Sequence, residues 1–320
     1  MSENANINLQ VVAEECEIFS TGNPETVIEK IDALKDKYNE NDLINIYNFL
    51  LQKAQNPDVI MYIIRLCDSF RHPSTLEYLV DILLLKNGNG ELLKEKYMSA
   101  RVMAAKAIGN LKNTCAVSSL LYCLNNKNEN YRVRLACADA LGRIGDRFAV
   151  APLIEVVSDE SEKSVYLREG AALALGALGD KSAIEPLVSI LETKQGIMDK
   201  FSFLKERIIE SINKMGFGEN ERVFKALKAS LSDESVQVRI EAIEAIMNSE
   251  NIKAFSTIKN CMINDSDEEV KKNALIALYN MSDRSILDEV ISSSAYSDKL
   301  KMAAVEILDE YENDEDEGNE

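Results

Sequence analysis

The chain is poor in the residue types that build most catalytic and metal sites. It has no tryptophan and one histidine among its 320 residues. A single histidine excludes the two-histidine zinc motifs, and His72 stands before Pro73 at a predicted helix start, so we expect a surface residue. The six cysteines are scattered without a Cys-x-x-Cys spacing, which gives no zinc or dithiol motif. We therefore predict no catalytic residue, no cofactor and no metal site.

Long apolar runs and positive charge are also scarce. No apolar stretch reaches the ~18 residues of a membrane span, so no membrane association is predicted. The first residues lack the basic and apolar regions of a signal peptide, and the cysteine pattern fits reduced thiols, so we expect a cytoplasmic protein. Asp and Glu number 54 against 36 Lys and Arg, for a net charge of −18. This balance disfavours nucleic acid and favours a protein partner with a basic or neutral surface.

What the chain does contain is a repeated pattern, with an offset of 34 residues from position 131 to position 165. Tyr131–Ile154 and Val165–Val188 share an Arg, an Ala-rich run, Leu-Gly, Gly-Asp and Pro-Leu in the same order. The first half of each copy has apolar residues at i, i+3 and i+4, which is typical of one buried helix face. Gly142 and Gly176 would each cost about 1 kcal/mol inside a helix. We expect them to allow close packing of neighbouring helices.

Each copy also contains signals for the end of one helix and the start of another. A glycine able to adopt positive φ ends the first helix, an aspartate caps the next segment, and a proline lies in the opening turn of the second helix. These pairs are Gly145 and Gly179, Asp146 and Asp180, and Pro152 and Pro186. Each repeat is therefore predicted to be two antiparallel helices.

Weaker copies extend the pattern along most of the chain. They are anchored at Arg101, Arg134, Arg168, Lys205, Arg239, Lys271 and Lys301. We predict an all-α fold, an α-α superhelix or solenoid of about seven or eight helical hairpins. Arg134 precedes Asp146, and Arg168 precedes Asp180, by the same interval. We interpret the arginines as structural, pairing with these carboxylates between successive repeats, rather than as a ligand site.

Three regions are predicted from the pattern. Residues 1–56 form an N-terminal cap of three helices, residues 57–308 the solenoid, and residues 309–320 a disordered acidic tail. Insertions at Asn87–Glu91 and Thr193–Lys200 lengthen two connections between a second helix and the next first helix. They belong either to a binding face or to tolerated surface loops.

The pattern resembles the HEAT-repeat superfamily and, within it, the phycobilisome-lyase-like HEAT repeats. The motif Val-Arg-x-x-Ala-x-x-Ala-Leu-Gly-x-x-Gly-Asp-x-x-Ala-x-x-Pro-Leu is carried best by Val133–Leu153, with Cys137 in the first Ala position. Leu167–Leu187 carries it with Leu in place of the first Val. The resemblance covers roughly Val59 to Leu308. It implies a solenoid fold, in a family that includes bilin lyase subunits, alkylpurine DNA glycosylases and many scaffolds.

Three functions are therefore open. The one we favour is a non-catalytic scaffold or adaptor that binds a protein through its concave face, which the second helices of such solenoids usually line. The resemblance also implies a bilin-lyase-like subunit or chromophore chaperone, or a glycosylase-like enzyme acting on nucleic acid. Phe148 is the strongest single anchor for a partner, although it could instead pack on a neighbouring repeat. The candidate partner-binding residues are Tyr122, Arg147, Phe148, Glu155, Lys181, Glu185 and Glu192.

Overall fold

The fold is built from short helices joined by tight turns. The computed structural model describes residues 7–19, 23–86, 91–193, 202–282 and 284–317, and these residues contain no strand. They divide into two compact units, Met1–Val157 and Ser158–Glu320. The predicted all-α class is confirmed, and the paired first and second helices of the repeats number seven among the described residues.

Ten α-helices lie among the described residues of the first unit, and the last of them ends at the unit boundary. The second repeat of this unit is formed by its seventh and eighth helices, and the third repeat by its ninth and tenth. The helices are α1 (Leu9–Glu15), α2 (Pro24–Asp32), α3 (Glu40–Lys53), α4 (Pro57–Phe70), α5 (Leu76–Leu84), α6 (Glu91–Lys96), α7 (Met98–Leu111), α8 (Val117–Asn125), α9 (Tyr131–Ile144) and α10 (Val150–Ser158).

The second unit contains nine α-helices among its described residues. Four repeats follow one another, and a single long helix ends the series. The helices are α11 (Val165–Leu178), α12 (Ile184–Leu191), α13 (Ser202–Met215), α14 (Glu221–Ser230), α15 (Val236–Met247), α16 (Ala254–Asn264), α17 (Glu268–Met281), α18 (Ser285–Ser292) and α19 (Asp298–Glu317).

Local sequence signals set the helix boundaries as predicted. Asn130 caps α9, since its side-chain oxygen accepts a hydrogen bond from the Arg132 N–H at 2.9 Å. Gly145 and Gly179 end α9 and α11 with φ of 76° and 77°, a conformation that glycine adopts without steric cost. The second helix then starts within a few residues, so each pair of helices is held as a hairpin.

Small residues let neighbouring first helices approach closely. The first helices α7 and α9 pack together in the first unit, and α11 and α13 in the second. A Cβ added to Gly109 would lie 2.8 Å from the Cα of Ala140, and one added to Gly176 would lie 3.0 Å from the Cα of Ser211. The role predicted for Gly176 is therefore confirmed. Substituting alanine at Gly109 would force two backbones apart.

The two ends of the chain agree with the sequence analysis to different degrees. Three α-helices lie within the predicted N-terminal cap, and the boundaries at residues 56 and 308 remain predictions. The disordered tail at residues 309–320 also stays a prediction, and α19 continues to Glu317. Glutamate has good helix propensity and no glycine or proline interrupts the run before Gly318, so the backbone extends the preceding helix. The insertions at 87–91 and 193–200 lie almost wholly outside the described residues.

Candidate partner-binding surface

Three of the candidate residues, Arg147, Phe148 and Lys181, lie in a tight turn that leads into a second helix, whereas Glu192 lies at the far end of α12. In four repeats this turn contains a short 3-10 helix, and its first N–H groups are capped by the residue just before it. The Asp146 carboxylate accepts a hydrogen bond from the Phe148 N–H at 3.0 Å, and the Asp180 carboxylate accepts one from the Ser182 N–H at 2.9 Å. Because these caps fix the backbone, the exposed side chains of the turn are presented in a defined position. The four 3-10 helices are Pro73–Thr75, Thr114–Ala116, Arg147–Ala149 and Lys181–Ala183.

The first unit exposes two aromatic side chains on this face. Phe148 is 75% exposed and Tyr122 is 69% exposed. The 3-10 helix that contains Phe148 packs against α8, the helix that carries Tyr122. Arg147 and Glu155 are exposed as well. Two rings and two charged groups thus lie on neighbouring second-helix elements of one unit.

In the second unit the candidate glutamates share one cation. The Arg222 guanidinium donates to Glu185 at 2.6 Å and to Glu192 at 2.7 Å, and its third contact is the Ser189 hydroxyl at 3.0 Å. Hydrogen bonds from Asn220 and Arg222 lower the pKa of Glu185 below its usual value. The structure therefore brings Glu185 and Glu192 together across α12 and α14.

The sequence predicts the position of Lys181 but not the contribution of Arg222. Lys181 lies exposed on the 3-10 helix before α12, as expected. Arg222 was not identified because its repeat was aligned only through first helices. The signal was available in Asn220, which caps α14 through the Arg222 and Val223 N–H groups. An alignment on this capping residue would have placed Arg222 at a second-helix start.

The anchor arginines of the repeats, Arg101, Arg134, Arg168 and Arg239, are buried. The guanidinium of Arg101 donates to both carboxylate oxygens of Glu129 at 2.9 and 2.6 Å, and its Nε donates to the Leu83 carbonyl oxygen at 2.8 Å. Arg239 makes the same two-pronged contact with Asp265 at 2.8 and 3.0 Å. The carboxylate in each case lies in the turn before the next first helix. Arginine–carboxylate pairs between successive repeats thus occur at Arg101 and Arg239, which are not the two pairs that the sequence predicts.

The carboxylate predicted to pair with Arg134 is engaged elsewhere, and the pairing of Arg168 with Asp180 stays a prediction. The Asp146 carboxylate caps the 3-10 helix instead of meeting Arg134, whose Nε donates to the Leu124 carbonyl oxygen at 2.8 Å. A short aspartate immediately before a turn is well placed to bond backbone N–H groups within that turn. This local contact explains why the prediction for Asp146 was wrong.

Burial and pairing oppose each other at Arg101 and Glu129. Removal from water disfavours the charge on each group. The hydrogen bonds and charge attraction between the two outweigh that cost, so the pKa of Glu129 lies below its usual value and the pKa of Arg101 lies above its own. The pair is thus ionised in the folded protein at neutral pH.

The remaining groups of chemical interest have structural roles where the structure describes them. His72 is exposed and caps a 3-10 helix, with its Nδ1 accepting from the Ser74 N–H at 3.3 Å. All six cysteines are free thiols, and Cys137 is fully buried in the position predicted for an alanine. Within the described residues, no group of three or more His, Cys, Asp or Glu side chains could hold a metal ion. None of the described helices is long and apolar enough to cross a membrane.

Comparison with known proteins agrees with this architecture. A family model for HEAT repeats matches residues 90–166 and 129–200. Kap121p, in its crystal structure, is 11% identical with a TM-score of 0.52, and the match covers 95% of this chain and 38% of that one. No curated protein matches the sequence significantly.

Two further solved structures are similar at lower TM-scores. The complex of CpcE and CpcF of phycocyanin lyase from Nostoc sp. PCC7120 is 20% identical over 74% of this chain and 87% of that one, with a TM-score of 0.44. Human deoxyhypusine hydroxylase is 14% identical over 85% of this chain and 95% of that one, with a TM-score of 0.35. At such identities the likeness concerns the stacking of helical hairpins alone.

Proposed function

Because the chain is a HEAT-repeat protein, we propose that it is a non-catalytic scaffold that binds a protein partner through exposed residues at its second helices. The observation that supports this most directly is Phe148, a ring 75% exposed on a capped 3-10 helix. A rigidly presented aromatic contributes contact energy to an interface out of proportion to its number of atoms.

The neighbouring residues fit the same role. Tyr122 adds a second exposed ring, and its hydroxyl allows both apolar and polar contact. Arg147 and Glu155, on the same 3-10 helix as Phe148 and on the helix that follows it, supply exposed charges of both signs. Such an arrangement, with an apolar centre and a charged rim, is typical of protein interfaces.

The overall charge suggests the kind of partner. With a net charge of −18, the protein attracts a basic surface over long distance, does not repel a neutral one, and repels a polyanion. The six free thiols support the cytoplasmic location proposed from the sequence. The bilin-lyase-like and glycosylase-like alternatives remain predictions, and no contact among the described residues favours either one.

Affinity capture with matched variants tests the proposal. Wild-type protein and the variants Phe148→Ala and Tyr166→Ala are immobilised and exposed to the same native extract. Tyr166 is 68% exposed on α11, a first helix, so it controls for the loss of an exposed ring. We expect wild type and Tyr166→Ala to retain the same partner and Phe148→Ala to lose it.

One outcome of the capture experiment would contradict the proposed binding surface. If Phe148→Ala retains every protein that wild type retains, the aromatic pair is not the binding surface. Unfolding curves of both variants check that each is folded, and we expect them to match wild type because neither ring lies in the core.

A further inference from the structure

One helix of the second unit carries concentrated positive charge on an otherwise acidic protein. Exposed cationic side chains lie on α14 at Arg222, Lys225 and Lys228, three residues apart, and therefore on one face of the helix. Lys253, from the turn before α16, lies beside them. These four cations, with Glu192, Glu221 and Phe224, line a surface cavity of about 620 Å³.

Two of these four cations are already neutralised within the cavity. Arg222 binds Glu185 and Glu192 at 2.6 and 2.7 Å. Lys253 lies 3.1 Å from the carboxylate of Glu221. Lys225 and Lys228 make no ion pair with any residue that the structure describes. The cavity thus keeps two exposed positive charges available in a chain of net charge −18.

The geometry of this pair fits side-chain carboxylates. Residues three apart on a helix have Cβ atoms about 5–6 Å apart, so two acidic side chains of one extended or helical segment can reach both lysines. Phe224 is only 4% exposed and contributes an apolar wall beneath the charges. Reduced contact with water beside such a wall strengthens an ion pair relative to one in bulk solvent.

We propose that Lys225 and Lys228 form a docking strip for an acidic segment of a partner protein. The strip uses residues and chemistry distinct from those of Phe148, and it rests on the proposed function only in that the partner is a protein. Glu192 and Glu221 line the same cavity as the two lysines. A peptide can place acids opposite the lysines and neutral residues opposite these glutamates, whereas a nucleic-acid backbone, charged at every position, would be repelled.

Binding of a defined peptide tests the strip directly. A short labelled peptide rich in glutamate, in which neutral residues separate the acids so that they can face the two lysines, is titrated with the full chain, and fluorescence anisotropy is measured. The double variant Lys225→Glu, Lys228→Glu replaces two attractions with two repulsions. We expect the wild-type chain to bind and the variant to bind about tenfold more weakly or worse.

A second double variant controls for the change in total charge. Lys163→Glu, Lys214→Glu alters two exposed lysines of the same unit that lie outside the cavity, and it changes the net charge equally. We expect the affinity of this control to stay within about twofold of wild type, a small fraction of a tenfold step. Equal losses in the two variants would overturn the proposal, as would a wild-type chain that fails to bind the peptide.

Other occupants give distinct results in the same assay. If a labelled oligonucleotide binds wild type through the strip and the Glu-rich peptide does not displace it, the protein-partner assignment is overturned. If replacing the acids of residues 309–320 with their amides strengthens peptide binding, the chain's own C-terminal acids occupy the strip, and the assignment is again overturned. Neither result depends on Phe148, so this inference and the proposed function can fail separately.

Discussion

Two charged clusters of this protein use the same chemistry in opposite surroundings. In the first unit Arg101 meets Glu129 with side chains only 3% and 5% exposed. In the second unit Arg222 meets Glu185 with side chains 44% and 52% exposed. The shortest contact is 2.6 Å in each cluster, so distance does not distinguish them. The difference in burial indicates that the first cluster fixes the fold, whereas we propose the second as part of a partner-binding surface.

The physical reason lies in what each cluster loses when one member is removed. A buried carboxylate without its partner remains out of water and uncompensated, which costs several kcal/mol. An exposed carboxylate without its partner is simply hydrated, and exposed pairs contribute little on average. The buried pair therefore specifies which turn meets which first helix, whereas the exposed pair is free to exchange partners.

The largest loss of stability is expected for the substitution Arg101→Ala. This change leaves the Glu129 carboxylate buried without its cation and the Leu83 carbonyl oxygen without its donor. We expect the free energy of unfolding to fall by about 3–5 kcal/mol, measured by urea denaturation followed by circular dichroism. The double variant Arg101→Met, Glu129→Leu removes both charges, so its free energy of unfolding should fall less than that of the single variant. A single-variant loss below about 1 kcal/mol, the range of exposed pairs, would contradict the comparison.

The dependence of stability on pH should be the next largest effect. It should distinguish the buried carboxylate of Glu129 from exposed carboxylates such as that of Glu185. Because the folded pKa of Glu129 is depressed, its contribution to stability is present above the ordinary glutamate pKa of about 4.3 and is lost as pH falls through the folded value. We therefore expect Glu129→Gln to be less stable than wild type at neutral pH and the two stability curves to converge in acid. Urea midpoints measured across this pH range check the prediction.

The control for this pH experiment is Glu185→Gln. The pKa of Glu185 is also lowered by its hydrogen bonds, but its partner stays hydrated when the charge is lost. We expect its curve to lie close to wild type at every pH. A gap between Glu129→Gln and wild type that stays constant down to strong acid would mean that ionisation of Glu129 is not what stabilises the turn.

The repeat architecture could be predicted from the sequence because each helix end and each turn is specified by residues close to it in the chain. Gly145 and Gly179 end first helices at positive φ, and Asp146 and Asp180 cap the following turn, as expected. Such signals act over a few residues, so one copy of the motif suffices to identify them. The acidic run up to Glu317 was harder, because high charge predicts disorder while glutamate favours helix, and the structure continues the helix.

The candidate surface could be predicted only in part because it depends on contacts between repeats. The exposure of Phe148 and Tyr122 follows from their place at second helices. The ion pair of Glu185 and Glu192 with Arg222 does not, since it joins residues 37 and 30 positions apart across two repeats. The proposed role of Lys225 and Lys228 could not be predicted from the sequence for a related reason. Their significance emerges only once the other cations of the cavity are seen to be paired.

The smallest loss of stability is expected for the substitution Arg222→Gln. The glutamine keeps much of the length and the polar character of the side chain, and Glu185 and Glu192 become hydrated when the guanidinium is gone. We expect the urea midpoint to fall far less than in Arg101→Ala. In about 1 M NaCl, where the Debye length is ~3 Å, the remaining difference from wild type should shrink further, whereas the loss in Arg101→Ala should persist because salt screens buried pairs poorly. If Arg222→Gln proved as destabilising as Arg101→Ala and as insensitive to salt, then the exposed cluster would also hold the fold, and its second-helix face would not be free for a partner.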